Sequence, residues 1–289
     1  MMNIQKVGFL HPGEMGVSVA VSAKNSANQV YWTSEGRSAQ TRTRAEKFEL
    51  IDTGTLETLC DTCSVIISVC PPHAAEEVAR HVLGYKFDGL YVDVNAISPQ
   101  RAIRIGESMV EAGVVFVDGC IIGGPAWEPG KTWLYLSGEG AQPAADCFSG
   151  GPLETCIIDG PIGKASALKM CYAGYSKGTT ALICAILATA EQLGVRGELE
   201  EQWSKNGSDF SQQAERRARR VTKKAWRFHG EMEEISATFS EAGMPGEFHA
   251  GAAEVYRRLA RFKNAASTPE LEEVLEALLQ GPEPITGKL

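Results

Sequence analysis

The sequence has no apolar run near the ~18 residues that a bilayer-spanning helix requires. Its longest, ALICAILATA at 181–190, is closed by Thr179-Thr180 before it and Glu191-Gln192 after it. It also lacks a basic opening segment with an apolar stretch and cleavage site, so no signal peptide and a cytoplasmic location are expected. There is no basic excess. Lys and Arg number 28 against 36 Asp and Glu, a net charge of −8, which argues against nucleic acid or an anionic membrane as partner. No second CxxC follows Cys60-Asp-Thr-Cys63, so no zinc site is completed and no metal is expected. The eight cysteines are then expected to be reduced, mostly as small buried hydrophobes. No internal repeat or low-complexity segment is present.

What is present fits a soluble two-domain chain: 289 residues, 44% hydrophobic and 22% charged. Between residues 4 and 160, short apolar runs (IQKVGFL, QVYW, FELI, SVIISV, GLYVDV, VVFVDG, TWLYLSG) alternate with helix-compatible stretches. That alternation predicts an α/β domain with a parallel sheet, doubly wound by right-handed crossovers, and antiparallel pairing among the last runs. From 164 the pattern changes. A helix is expected over 164–194, then helices over 208–242, 247–263 and 268–280. The expected domains are therefore 1–160 and an all-α 161–289. Phe228, Met232, Ile235 and Phe239 form one apolar helical stripe; Phe248, Ala252, Val255 and Leu259 form another. The tail GPEPITGKL is expected to fray.

The stretch VGFLHPGEMG at 7–16 resembles the dinucleotide-binding turn G-x-G-x-x-G with His11 in place of its first glycine. Gly13 and Gly16 keep the positions that admit a pyrophosphate and let the helix lie close on the strand. His11 precedes Pro12, which favours extended dihedrals, so the turn must be made another way. A helix opening here would offer amides and partial positive charge to phosphate, drawing Leu10, His11, Pro12, Gly13, Glu14 and Met15 into the cofactor site. After the second run comes TSEGRS. Ser34, Arg37 and Ser38 suit the extra phosphate of NADP, because a guanidinium makes bidentate charged bonds. Glu35 suits the ribose of NAD. The balance favours NADP over NAD.

Four more segments follow in an order that resembles the β-hydroxyacid dehydrogenases, the family of 6-phosphogluconate and 3-hydroxyisobutyrate dehydrogenases. Val69-Cys70-Pro71-Pro72 is similar to that family's hydrophobic-Leu-Pro turn over the cofactor. DVNAISP at 93–99 resembles D-x-S-T-x-x-P, and DGCIIGG at 118–124 resembles D-A-P-V-S-G-G. GKASALK at 163–169 resembles G-x-G-x-x-x-K, whose lysine is the family's acid/base. The resemblance spans about 4–195 and implies a Rossmann-type domain followed by an all-α domain, with Lys169 catalytic. It also implies Cys70, Pro71, Pro72 and Asn95 at the cofactor, and a homodimer with interlocking helical domains. The C-terminal half resembles a bacterial branch of these NAD(P)-binding proteins.

This chain departs from the pattern where the family holds a substrate carboxylate. Asn95, Ile122 and Ala173 stand at two serines and an asparagine, so only Asn95 retains a hydrogen-bonding group. Substrate contacts are expected from Asn95, Ile122, Gly123, Gly124, Ala173, Ser176 and Lys177. The last three lie four, seven and eight residues beyond Lys169, near one helical face. Ser176 and Lys177 can replace the missing clamp. His229 and His249 are expected to pack locally, and Trp226, Arg227, Glu231 and Glu234 are candidates for the far wall of a cleft. The run Arg216-Arg217-Ala218-Arg219-Arg220 reads as a solvated helix face. The expected activity is hydride transfer between NAD(P) and a small hydroxy or oxo compound. The alternatives are an imine or ketone reductase without a carboxylate clamp, and a non-catalytic NADP-binding sensor.

Overall fold

The computed structural model describes residues 5–281, in two compact units that divide after Met170. The expected boundary near 160 comes earlier. The first turns of the long helix belong with the sheet because strand residues hydrogen-bond its amino end. Residues 1–4 and 282–289, which include most of the expected frayed tail, lie outside the described residues.

The first unit is built on eight strands: β1 (Lys6–Phe9), β2 (Gln29–Trp32), β3 (Ile51–Asp52), β4 (Val65–Ser68), β5 (Leu90–Asp93), β6 (Val115–Gly123), β7 (Thr132–Ser137) and β8 (Glu154–Ile157). They form one sheet in the order 3-2-1-4-5-6-7-8. Strands β1 to β6 are parallel, β7 runs antiparallel to β6, and β8 is parallel to β7. The antiparallel pairing is the one that the spacing predicts. Strand β8 carries no long apolar run and was not legible.

Six helices complete the unit: α1 (Glu14–Asn25), α2 (Ala39–Lys47), α3 (Leu56–Thr62), α4 (Ala75–Gly84), α5 (Pro99–Glu111) and α6 (Ala141–Asp146). Alternate strand residues feed two cores. Val7, Phe9, Trp32, Ile67 and Val92 pack with Val17 and Ala20 of α1 on one face. Ile66, Tyr91 and Phe116 pack with Leu59, Val82 and Met109 on the other. Cys60 and Cys63 are buried in the second core, and burial pushes their thiols up to about 11 and about 12.

The long helix α7 (Lys164–Gln192) carries the chain into the second unit. There follow α8 (Arg196–Ser204), α9 (Phe210–Glu241), α10 (Glu247–Leu259) and α11 (Leu271–Gln280). Helix α8, mostly polar with no buried residue, gave no apolar periodicity and was missed. Met232 and Ile235 are buried as expected. In the second stripe Ala252 and Leu259 are buried as expected, Val255 is half-buried and Phe248 is 51% exposed, while α10 also buries His249, Ala253 and Tyr256.

Candidate functional site

The order reverses between β1 and β4, where neighbouring strands send their connections in opposite directions. In open α/β sheets the ligand crevice opens at the carboxyl ends of such strands. Four of the expected segments leave the sheet there: 10–15 after β1, 34–38 after β2, 70–72 after β4, and Asn95 after β5.

The first turn is closed without its missing glycine. The Gly13 amide donates to the His11 carbonyl at 2.8 Å, and His11 has no positive φ. Gly16 does the packing job, since a Cβ there would lie 2.2 Å from the His11 carbonyl oxygen. Gly13 is different. Its φ is −67°, ordinary for any residue, and a Cβ on it would meet nothing within 4 Å. Neither dihedral nor protein packing demands a glycine, which leaves open room for a ligand. Helix α1 begins there with no side-chain cap, so its first amides point outward unpaired. Leu10 and Pro12 are buried, Met15 packs against the core, and Glu14 is exposed in the first turn.

Two buried polar atoms near this turn lack partners: His11 Nδ1 and Arg37 Nε. Burial and the Arg37 charge lower the His11 pKa to about 4. The loop holding Arg37 is framed by Arg42, which donates to the Ser34 carbonyl at 2.8 Å. Ser38 caps α2 by accepting the Thr41 amide. The Glu35 carboxylate accepts the Leu56 amide at the start of α3, at 3.2 Å. Open space at Gly13, unpaired helix amides and two orphaned nitrogens fit a phosphorylated dinucleotide.

Asn95 has a structural role that its expected substrate contact does not include. Its Oδ1 accepts the Cys70 amide, while Nδ2 donates to Ser68 Oγ at 3.1 Å and Asp93 Oδ2 at 2.9 Å. Both amide hydrogens are committed, so the residue latches the ends of β4 and β5 together. Pro71 and Pro72 lead into a short helical turn at 72–74. Burial pushes the Cys70 thiol up to about 12 and Asp93 up to about 7.

Lys169 is placed by a network that sequence reasoning missed. Asp118 on β6 accepts the Gly163 and Ser166 amides at 2.9 and 3.0 Å, and the Ser166 hydroxyl at 2.6 Å. Ser137 on β7 donates to Asp118 and accepts the Ala165 amide, both at 3.1 Å. These bonds satisfy amides that an α-helix leaves unpaired at its start and fix the rotation of α7. One turn on, Lys169 Nζ donates to the Ile121 carbonyl at 2.6 Å. An acid within the apolar strand VFVDGCII was the available signal. Ile122 points into a small core with Cys120 and Ala165, so its side chain is a packing group. Gly123 and Gly124 are exposed beside it. Gly123 has φ +125° and admits no Cβ.

In the second unit, Ala173 is buried and Ser176 half-buried. Lys177 is ion-paired with Glu231 at 2.5 Å and lies 4.8 Å from the Phe228 ring centre. Its charge is therefore already met by a carboxylate. His249 is buried between Phe239 and Phe248, and burial lowers its pKa; it packs, as expected. Within the basic run, Arg219 pairs with Glu215 and Glu270, and Arg217 donates to Thr179 and Thr180. Part of that face is anchored rather than simply solvated.

Comparison with known proteins agrees with this arrangement. Residues 6–141 match the NAD binding domain of 6-phosphogluconate dehydrogenase, and residues 190–259 match the domain of unknown function DUF1932. An uncharacterized 28.5 kDa protein of Methanothermus fervidus is 30% identical over 68% of this chain and 75% of its own length. The conserved protein MTH1747, described as structurally similar to 3-hydroxyacid dehydrogenases, is 28% identical with a TM-score of 0.65, over 90% of this chain and all of that one. The fold is also that of Mycobacterium tuberculosis 3-hydroxyisobutyrate dehydrogenase: TM-score 0.67, 15% identity, 96% and 99% of the two chains. With a dinucleotide crevice at its switch point and a lysine fixed at the end of β6, the chain belongs to the β-hydroxyacid dehydrogenase family, in a branch whose helical region carries DUF1932.

Proposed function

We propose that this protein is an NAD(P)-dependent oxidoreductase that moves hydride between the coenzyme and a small hydroxy or oxo compound, with Lys169 as acid/base and NADP preferred. The observation that carries the reading is the placement of Lys169. Five bonds to Asp118 and Ser137, direct and shared, set the phase of α7 and hold the ammonium at the carboxyl end of β6. Gly13 and the α1 amides would hold the diphosphate, and Arg37 the added phosphate. When bound, the nicotinamide supplies the two-electron acceptor. Lys169 in its amine form takes the hydroxyl proton as the substrate C–H leaves as hydride, and returns it to the oxygen in the reverse direction.

A second reading, reduction of imines or ketones without a carboxylate anchor, is favoured by Ile122 and Ala173. Both are buried and apolar where the family places carboxylate-holding groups. Under either reading the protein is a cytoplasmic homodimer. Its support is an exposed stripe on α7, in which Tyr172, Tyr175, Leu182 and Ile186 follow the three-and-four spacing of a helix-pairing seam. The test is coenzyme turnover over a panel of hydroxyacids, ketones and cyclic imines. Hydroxyacid turnover selects the first reading, imine turnover alone selects the second, and none across the panel overturns both.

A further inference from the structure

The residue at the missing glycine has chemistry of its own. We infer that the His11 imidazole joins the Arg37 guanidinium to form a two-sided seat for the 2′-phosphate of NADP(H), with His11 protonated when the phosphate is in place. The inference rests on the dinucleotide reading above and adds His11 to it.

The backbone does not need His11. The turn is closed through its carbonyl, with no positive φ, and the side chain makes no bond that closes it. Instead, His11 Nδ1 is buried with no partner, and so is Arg37 Nε from the neighbouring β2–α2 loop. Buried nitrogens left unbonded are costly, and two within one electrostatic neighbourhood call for a shared acceptor. The two residues follow neighbouring strands, paired Phe9 to Trp32, and so sit at one end of the sheet, where the guanidinium charge opposes protonation of the imidazole.

The other charged and titratable groups around the pair do not supply that acceptor. Glu35 is turned to the α3 amide of Leu56. Cys70, from the β4 end, stays a thiol. Glu14 is exposed on α1, and Arg44 of α2 lies with Nη1 3.5 Å from the Pro12 carbonyl. Arg42 donates to the carbonyls of Ser34 and Arg37. A phosphate monoester is dianionic at neutral pH, with three acceptor oxygens. Placed between the two nitrogens, it converts the repulsion of one like charge into attraction by two opposite ones. NADPH would then bind with uptake of a proton, while NADH, lacking that phosphate, would not.

The test is calorimetric titration of the full chain with NADPH and with NADH at pH 7.0, in two buffers of different ionisation heat, beside His11→Gln. Wild type is expected to take up a measurable fraction of a proton with NADPH and none with NADH. His11→Gln should abolish that uptake and weaken NADPH about tenfold, the loss of one charge-assisted bond, with NADH unchanged. The ionisation of the phosphate itself, near pH 6, is common to both proteins and cancels in the comparison. Equal uptake by His11→Gln overturns the seat, and so does binding of NADPH and NADH with equal affinity. In either case the dinucleotide reading stands. Binding of neither coenzyme overturns that reading as well.

Discussion

Ser166 Oγ lies 2.6 Å from Asp118 Oδ1, and this contact between the first turn of α7 and strand β6 sets where Lys169 stands. Lys169 lies three positions after Ser166, so the two share a helical face. A rotation of α7 would carry the ammonium away from the Ile121 carbonyl. Asp118→Asn should keep one acceptor and lose the other, because its carbonyl can serve the Gly163 and Ser166 amides only with its NH2 facing the Ser166 hydroxyl, which then loses its carboxylate acceptor. We expect at least a tenfold fall in kcat with coenzyme Kd unchanged, since misplacing a catalytic group is costly while distant binding persists. Asp118→Ala should also lower stability by about 3 kcal/mol or more, from buried donors left unpaired. Equal kcat in Asp118→Asn and wild type would contradict the positioning role.

Lys169→Ala removes the proton acceptor but none of the groups assigned to the coenzyme. Turnover should fall by about 10² or more, with NADPH affinity kept within a few-fold. The check is steady-state kinetics beside fluorescence titration. Unchanged turnover would rule the lysine out.

The two glycines of the first turn should separate stability from binding. In Gly16→Ala a Cβ meets the His11 carbonyl oxygen at 2.2 Å, so thermal unfolding should show a loss of about 1–3 kcal/mol. The Cβ of Gly13→Val meets no protein atom within 4 Å, so stability should fall by no more than the loss of a favourable N-cap residue while coenzyme affinity drops tenfold or more. Melting curves and binding isotherms for the two variants test this directly.

Acid should destabilise the coenzyme-free protein partly through His11. Its folded value of about 4 lies below the ordinary value near 6.5, so the unfolded chain takes up the proton first as pH falls. This contribution is full above about pH 6.5 and is lost as pH falls through 4, amounting to at most about 3 kcal/mol. Denaturant titrations at pH 7 and 4.5 should therefore differ less in His11→Gln than in wild type.

The α7 stripe predicts assembly. Leu182→Glu and Ile186→Glu together should shift sedimentation from dimer toward monomer with helical content kept. A wild-type monomer at micromolar concentration would contradict the homodimer.

Much of this was legible from residue order. The alternation of apolar runs gave the parallel sheet, and the glycines at 13 and 16 gave the turn, because sheet period and glycine sterics are local. What was hidden depends on tertiary partners. The motif around Asn95 reads as a substrate contact, and its bonds to Ser68, Asp93 and Cys70 join two strand ends that residue order does not bring together. Helix spacing reads Lys177 as an anion clamp, and its pairing with Glu231, 54 positions later, is a tertiary contact that spacing does not reveal. Phe248 is exposed although its spacing placed it on the buried stripe, because the buried face of α10 is set by what packs against it and not by apolar spacing alone. Helix α8 is mostly polar with no buried residue, and β8 is a four-residue strand without a fully buried side chain, so neighbours decide the conformation of both.

The central claim is that the turn at 10–16 grips a dinucleotide, and fluorescence titration of the full chain with NADPH, wild type beside Gly13→Val, tests it most directly. Saturable one-site binding by wild type and at least tenfold weaker binding by the variant are expected. No binding by wild type, or equal binding by both proteins, would contradict it.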